Sequence, residues 1–185
     1  MLNKSLVTYC VLSLLLVFSV NIAFAVTVNG GAIHFSGSIV NAGCAVSVSS
    51  NNQNVYMGEY RSALFTAVGV RSNSVLFNIE LEDCDSTVST QVSTAFSGTF
   101  DRVDPTVLAI SNTAGGASGS ASGIGIEISD KTGTVIKPNG TQFSTAQTLI
   151  NGTNILSFSA RYKATAASVT PGGADADVTF SLQYN

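Results

Sequence analysis

Val178, Phe180, Leu182 and Tyr184 recur at every second position, and the sequence ends one residue later. Alternation with period two is the mark of a half-buried β-strand. Such a strand offers two edges for pairing, and no later strand follows to take the second. The other end of the chain holds a counterpart. Val26-Thr27-Val28-Asn29-Gly30-Gly31-Ala32-Ile33-His34-Phe35-Ser36-Gly37 is extended, alternating and well ahead of Cys44. A free strand at one end and an unneighboured strand at the other imply a fold completed by another copy of the same chain.

The rest of the pattern is also β. Short apolar or alternating runs fall at Ile33–Val40, Ala45–Val48, Val55–Met57, Val75–Leu81, Gln91–Phe96, Val107–Ile110, Ile124–Ile128, Ile155–Tyr162 and Val178–Tyr184. Turn residues separate them, among them Lys131-Thr132-Gly133, Pro138-Asn139-Gly140, Asn151-Gly152 and Thr170-Pro171-Gly172-Gly173. Many short strands at this spacing predict an antiparallel sandwich. Tyr60 to Gly69 is the one stretch expected to hold a helical turn. The small-residue run Ala114 to Gly123 reads as a surface loop, since it lacks the Gly-Lys-Ser/Thr ending of a phosphate loop.

Residues 1–25 have the form of a secretory signal: Lys4, an apolar run from Val11 to Val20, and Ala23-Phe24-Ala25 as the cleavage site. Cys10 leaves with that segment. Cys44 and Cys84 remain, and two cysteines in an exported chain most simply form one disulfide. The loop it closes would stabilise the fold by about 4 kcal/mol in the chain-entropy description. A metal site on the two cysteines is the rival, and it needs more ligands than the sequence offers.

Chemistry is sparse. Seven basic residues against eleven acidic ones remain after Lys4 is removed, a balance of −4. There is no basic stripe, which argues against nucleic acid. His34 is the only histidine and lies in the N-terminal arm, so a Ser-His-Asp triad has no place to form. Glu80 and Glu82 would share a strand face and could meet a hard cation, although a solvated strand end explains them as well. No catalytic residue, metal site or cofactor is expected. Charged residues make up only 10% of the chain, so little repulsion opposes association.

The residues that carry a family resemblance are Val28-Asn29-Gly30-Gly31, His34-Phe35-x-Gly37, Val40-Asn41-Ala42-x-Cys44-Ala45-Val46, Phe77-Asn78-Ile79-x-Leu81-x-Asp83-Cys84-Asp85, Asn151-Gly152-Thr153-Asn154, Ala160-Arg161-Tyr162 and the closing Gln183-Tyr184. Gly172 stands fourteen places from the end and Tyr184 is penultimate. In this order the pieces resemble the pilins of chaperone–usher fimbriae, within them the type 1 major subunit, over the whole mature chain.

The resemblance implies an all-β, immunoglobulin-like sandwich lacking its last strand, with a groove along the C-terminal strand. It implies three partners: identical or related pilin subunits in a homopolymer, a periplasmic chaperone that fills the groove first, and an outer-membrane usher where the arm of the next subunit replaces it. The division expected is a signal at 1–25, a donor extension at 26–37 and a pilin domain at 38–185. The donor face is expected to be Gly31, Ile33, Phe35 and Gly37, because Ile33 and Phe35 carry more apolar area than the face with Val26, Val28, Gly30, Ala32 and His34, and His34 stays in water. The acceptor set is Gly172, Val178, Phe180, Leu182 and Tyr184, with the Asn185 carboxylate as the chaperone's anchor. A minor or adapter pilin is the alternative within the family. A secreted carbohydrate-binding sandwich is the alternative outside it, weakened by the lack of tryptophan. A secreted β-sandwich enzyme is weakened by the shortage of histidine.

Overall fold

The computed structural model describes residues 27–39, 42–111 and 119–185. Ten strands follow in chain order: β1 (Ala45–Val46), β2 (Val75–Cys84), β3 (Gln91–Gly98), β4 (Leu108–Ala109), β5 (Ile124–Asp130), β6 (Val135–Ile136), β7 (Asn139–Phe143), β8 (Gln147–Thr148), β9 (Gly152–Ala164) and β10 (Val178–Tyr184). They form two antiparallel sheets. One runs β1-β2-β9-β5-β4, with β6 also on β5; the other runs β10-β3-β7, with β8 also on β3.

Alternation along the strands builds the core between the sheets. On β9 the inward row Leu156, Phe158, Ala160, Tyr162 and Ala164 is buried, while Ser157, Ser159, Arg161 and Lys163 between them are not. Ile79 and Leu81 of β2, Ile124, Ile126 and Ile128 of β5, and Val92 and Phe96 of β3 join the same buried cluster. Phe96 meets Phe158 edge-on at 5.1 Å, and Phe77 stacks on Phe158 at 5.6 Å. These ring contacts add to the area they bury.

One side of the sandwich is stitched shut. The buried Asp130 carboxylate ends β5 and accepts N–H bonds from Thr132, Thr134 and, across to the other sheet, Thr145. Burial alone would raise this carboxyl, but those donors and the Thr132 hydroxyl hold it at about 2. On the outer face of the larger sheet, Glu127 is fully buried beneath Arg71, Arg161 and Lys163, and Lys163 also reaches Asp104 at 2.7 Å. A buried charge needs this much pairing. The network ties the segments before β2 and before β4 to the sheet.

The structure differs from the sequence expectation in several places, and β6, β7 and β8 form where no strand was expected. Ile33 to Ile39, expected as a strand, makes none; Val40 lies outside the described residues. Val55–Met57, expected as a strand, alternates in burial but pairs with no described strand. β7 begins at Asn139, inside the expected turn, because Gly140 takes φ +74° and lets the chain enter the ladder at once. The helical turn expected in Tyr60–Gly69 is a 3-10 turn at Ser62–Leu64. The signal segment 1–25 and residues 114–118 of the Ala114–Gly123 loop lie outside the described residues.

Candidate functional site: an open seam beside the C-terminal strand

Among the described residues β10 has one neighbour. It pairs with β3 from Val178↔Gly98 to Tyr184↔Val92, and no described strand takes its other edge. Its inward residues Val178, Phe180, Leu182 and Tyr184 are all only half-buried, whereas Val92, Thr94 and Phe96 opposite them on β3 are buried. The same period-two row reaches back through Ala174 and Ala176, which also pack half-buried on the core. The core-facing row of β10 is thus less covered than the row of β3 beside it.

The larger sheet is open on the same side. β1 covers β2 only at Glu82 and Leu81, and no other described strand pairs the rest of that edge. Tyr184 Oη donates to the Cys44 carbonyl at 3.3 Å and so ties the far end of β10 to the start of β1. The Cys44–Cys84 disulfide fixes β1 to the end of β2. The seam therefore lies between β10 and the β1–β2 edge. Phe77 of β2 meets Phe96 at 6.1 Å, next to the Phe180 pair, and is half-buried. Tyr162 Oη donates to the Ala174 carbonyl, and the Tyr60 ring packs edge-on against Tyr162 at 5.7 Å.

A second unpaired backbone accompanies the seam. Ser50 Oγ accepts the Glu80 N–H at one end of the segment, and Tyr60 Oη donates to the Asn73 carbonyl at the other. Between them, residues 53–60 make no backbone hydrogen bond to another described residue, although Val55 and Met57 alternate inward. Ordered backbone with unused donors and acceptors is a template for another strand. Met57, Tyr60, Phe77, Ala174 and Ala176 were not singled out from sequence. Ala174 and Ala176 continue the alternation of β10 and could have been; the other three are brought to the seam only by the fold.

The remaining expected residues are placed as follows. Cys44 and Cys84 form the disulfide. A side chain on Gly172 would strike the backbone of Ser120 and Ala121 at 2.5 Å, so this glycine permits close backbone contact at the small-residue end of the row. The Asn185 carbonyl oxygen accepts the N–H groups of Thr90 and Gln91. In the N-terminal unit, Gly31, Ile33, Phe35 and Gly37 are exposed, Ile33 by 82% and Phe35 by 87%. His34 is exposed too. Glu80 is engaged by Ser49, and among the described residues no acidic, histidine or cysteine cluster is placed to hold a metal.

The sequence pattern of the family described as "Fimbrial protein" matches residues 33–185. The chain belongs to that family. It is 47% identical to the fimbrial subunit type 1 of Salmonella typhimurium, over 99% of this chain and 100% of that one. It is 48% identical to a type-1 fimbrial protein A chain of Escherichia coli, over 85% of this chain and 84% of the relative. Among solved structures, a subunit of a chaperone–usher pilus studied for rod uncoiling superposes with a TM-score of 0.69 at 27% identity, covering 88% of this chain and all of that one. The P pilus rod subunit PapA gives 0.65 at 26% identity, covering 78% and 100%. The two-sheet sandwich is therefore the incomplete immunoglobulin-like fold of pilus subunits, and the protein is a structural pilin of surface fimbriae.

Proposed function

We propose that this pilin is the repeating shaft subunit of a type 1-like fimbria and polymerises by strand donation. The arm at 26–37 of one copy fills the seam beside β10 of the next. The carrying observation is the half-buried row Val178, Phe180, Leu182, Tyr184 on a strand whose outer edge no described strand pairs. An arm of about ten residues spans roughly 33 Å. Each main-chain hydrogen bond it adds contributes about 1 kcal/mol net, and each large apolar side chain it buries about 1.5–3 kcal/mol. A link of great stability then needs no covalent bond.

In the favoured register Gly31, Ile33, Phe35 and Gly37 face the seam, since a one-residue slip would turn Ile33 and Phe35 outward and His34 inward. Before assembly, a periplasmic chaperone covers the seam with a strand of its own, anchored by the Asn185 carboxylate, and an outer-membrane usher hosts the exchange. The chain thereby passes through the periplasm to the cell surface.

Electron microscopy of material sheared from cells expressing the chain with its chaperone and usher tests this reading. The expected result is long rods that resolve on a denaturing gel to one band near the mature mass, and only after heating. Soluble monomer with no ladder before heating would overturn it.

A further inference from the structure

The chain holds three Asn-Gly pairs, Asn29-Gly30, Asn139-Gly140 and Asn151-Gly152, and the structure treats them differently. We propose that Asn29-Gly30 is a self-modification site, at which spontaneous deamidation ends the competence of an unassembled donor arm. The consequence for assembly rests on the donor-arm reading; the chemistry does not.

In the reaction the Gly30 backbone nitrogen attacks Asn29 Cγ. The N–Cγ bond forms, the Cγ–Nδ2 bond breaks, and Nδ2 leaves as ammonia with the proton lost by Gly30. Water then opens the five-membered imide. Cleavage of its bond to Cγ gives aspartate; cleavage of its bond to the backbone carbonyl carbon gives isoaspartate, with the main chain rerouted through Cγ. No oxidant, metal or enzyme is needed.

The geometry around Asn29 favours the attack. Asn29 Oδ1 accepts the Gly31 N–H at 3.1 Å, which folds the side-chain amide over the Gly30 peptide and polarises its carbonyl. Gly31 sustains that turn at φ +111°. Nothing lies within 4 Å of the Gly30 side-chain position. Within the N-terminal unit no other described hydrogen bond restrains the backbone.

The other two pairs act as internal controls. All three asparagines are exposed, so exposure does not separate them. Asn139 Oδ1 accepts the Thr141 N–H in the same kind of turn and the Gln142 N–H as well, but here the residues belong to β7, with Asn139 paired to Ser97. Asn151 Oδ1 accepts both the N–H and the hydroxyl of Ser86 at 2.7 Å, and Gly152 pairs with Cys84 in β9. Ring closure requires these ladders to open first. In a fibre the arm would be a ladder strand too, and Asn29 would gain the same protection.

The product disables the donor in either form. Asn29 shares the alternate face of Gly31, Ile33 and Phe35, so aspartate brings a charge toward an apolar seam. Isoaspartate lengthens the main chain by one carbon and breaks the register on which the strand depends.

Peptide mapping by mass spectrometry, after parallel incubation of the soluble full-length mature chain and of sheared fibres in mildly alkaline buffer, tests the proposal. In the soluble chain Asn29 should convert to aspartate and isoaspartate faster than Asn139 or Asn151 by about tenfold or more, the factor for releasing even one ordered residue. Gly30→Ala, which sets a methyl beside the attacking nitrogen, should slow it. Equal rates at the three sites, or an Asn29 that stays intact, would overturn the proposed site. Conversion at Asn29 that is as fast in fibres as in soluble chain would leave the modification site standing and overturn the protected, donated strand.

Discussion

Thr94 sits in the core-facing row of β3, paired to Leu182, and its hydroxyl has no hydrogen-bond partner although the residue is 1% exposed. An unsatisfied buried hydroxyl costs about 1–3 kcal/mol. Thr94→Val should raise the stability of the isolated subunit by about 1 kcal/mol, read as a higher urea midpoint; a lower midpoint would show that the hydroxyl has a partner. Phe35 is its opposite, an apolar side chain left in water. Phe35→Asp should speed dissociation of fibres in denaturant, because it sets an unpaired charge in the seam. Unchanged dissociation would favour the register that faces His34 inward.

At the scale of the element, β3 and β10 are paired strands with different duties. Phe96 and Phe180 face each other across the pair, yet Phe96 is buried and Phe180 half-buried. Phe96→Ala should cost the isolated subunit about 3–5 kcal/mol, the usual price of emptying a closed aromatic site. Phe180→Ala should cost the subunit clearly less while weakening the fibre more, measured by urea melting of the subunit and heat dissociation of the fibre. Equal losses in the isolated subunit would mean that the core over β10 is already closed.

For the whole molecule, the asymmetry of the sandwich governs behaviour. One seam is closed by Asp130, and the sheet's outer face is braced by Glu127 with Arg71, Arg161 and Lys163. Removing Val26–Ser36 should therefore leave a folded subunit that binds chaperone but extends no polymer; normal fibres would sink the donor assignment. Acid should spare the fold over a wide range. Burial would raise Glu127 and Asp104, but hydrogen bonds from Arg71 and Lys163 respectively hold each at about 2. Their pKa values fall on folding from 4.5 and 3.8, so the stability they contribute is complete above that range and drains away as pH drops toward 2. The urea midpoint should stay level from neutrality to about pH 5 and decline below it. A decline already complete at pH 5 would contradict the network.

What the sequence by itself determined is what is written in local alternation and spacing. The rows on β2, β9 and β10, the Cys44–Cys84 bridge and the motif order that names the family are all of this kind, because period two and cysteine number act along the chain. Only the tertiary structure decided which strip of core stays uncovered. Val55–Met57 alternates like a strand, yet it pairs with no described strand, because its potential neighbours lie across a seam that no segment within the described sandwich fills. Met57, Tyr60 and Phe77 join that seam from distant positions, and Glu127 is neutralised by cations from two separate segments, Arg71 before β2 and Arg161 and Lys163 on β9. Such gatherings depend on how two twisted sheets pack, which no single stretch of sequence records.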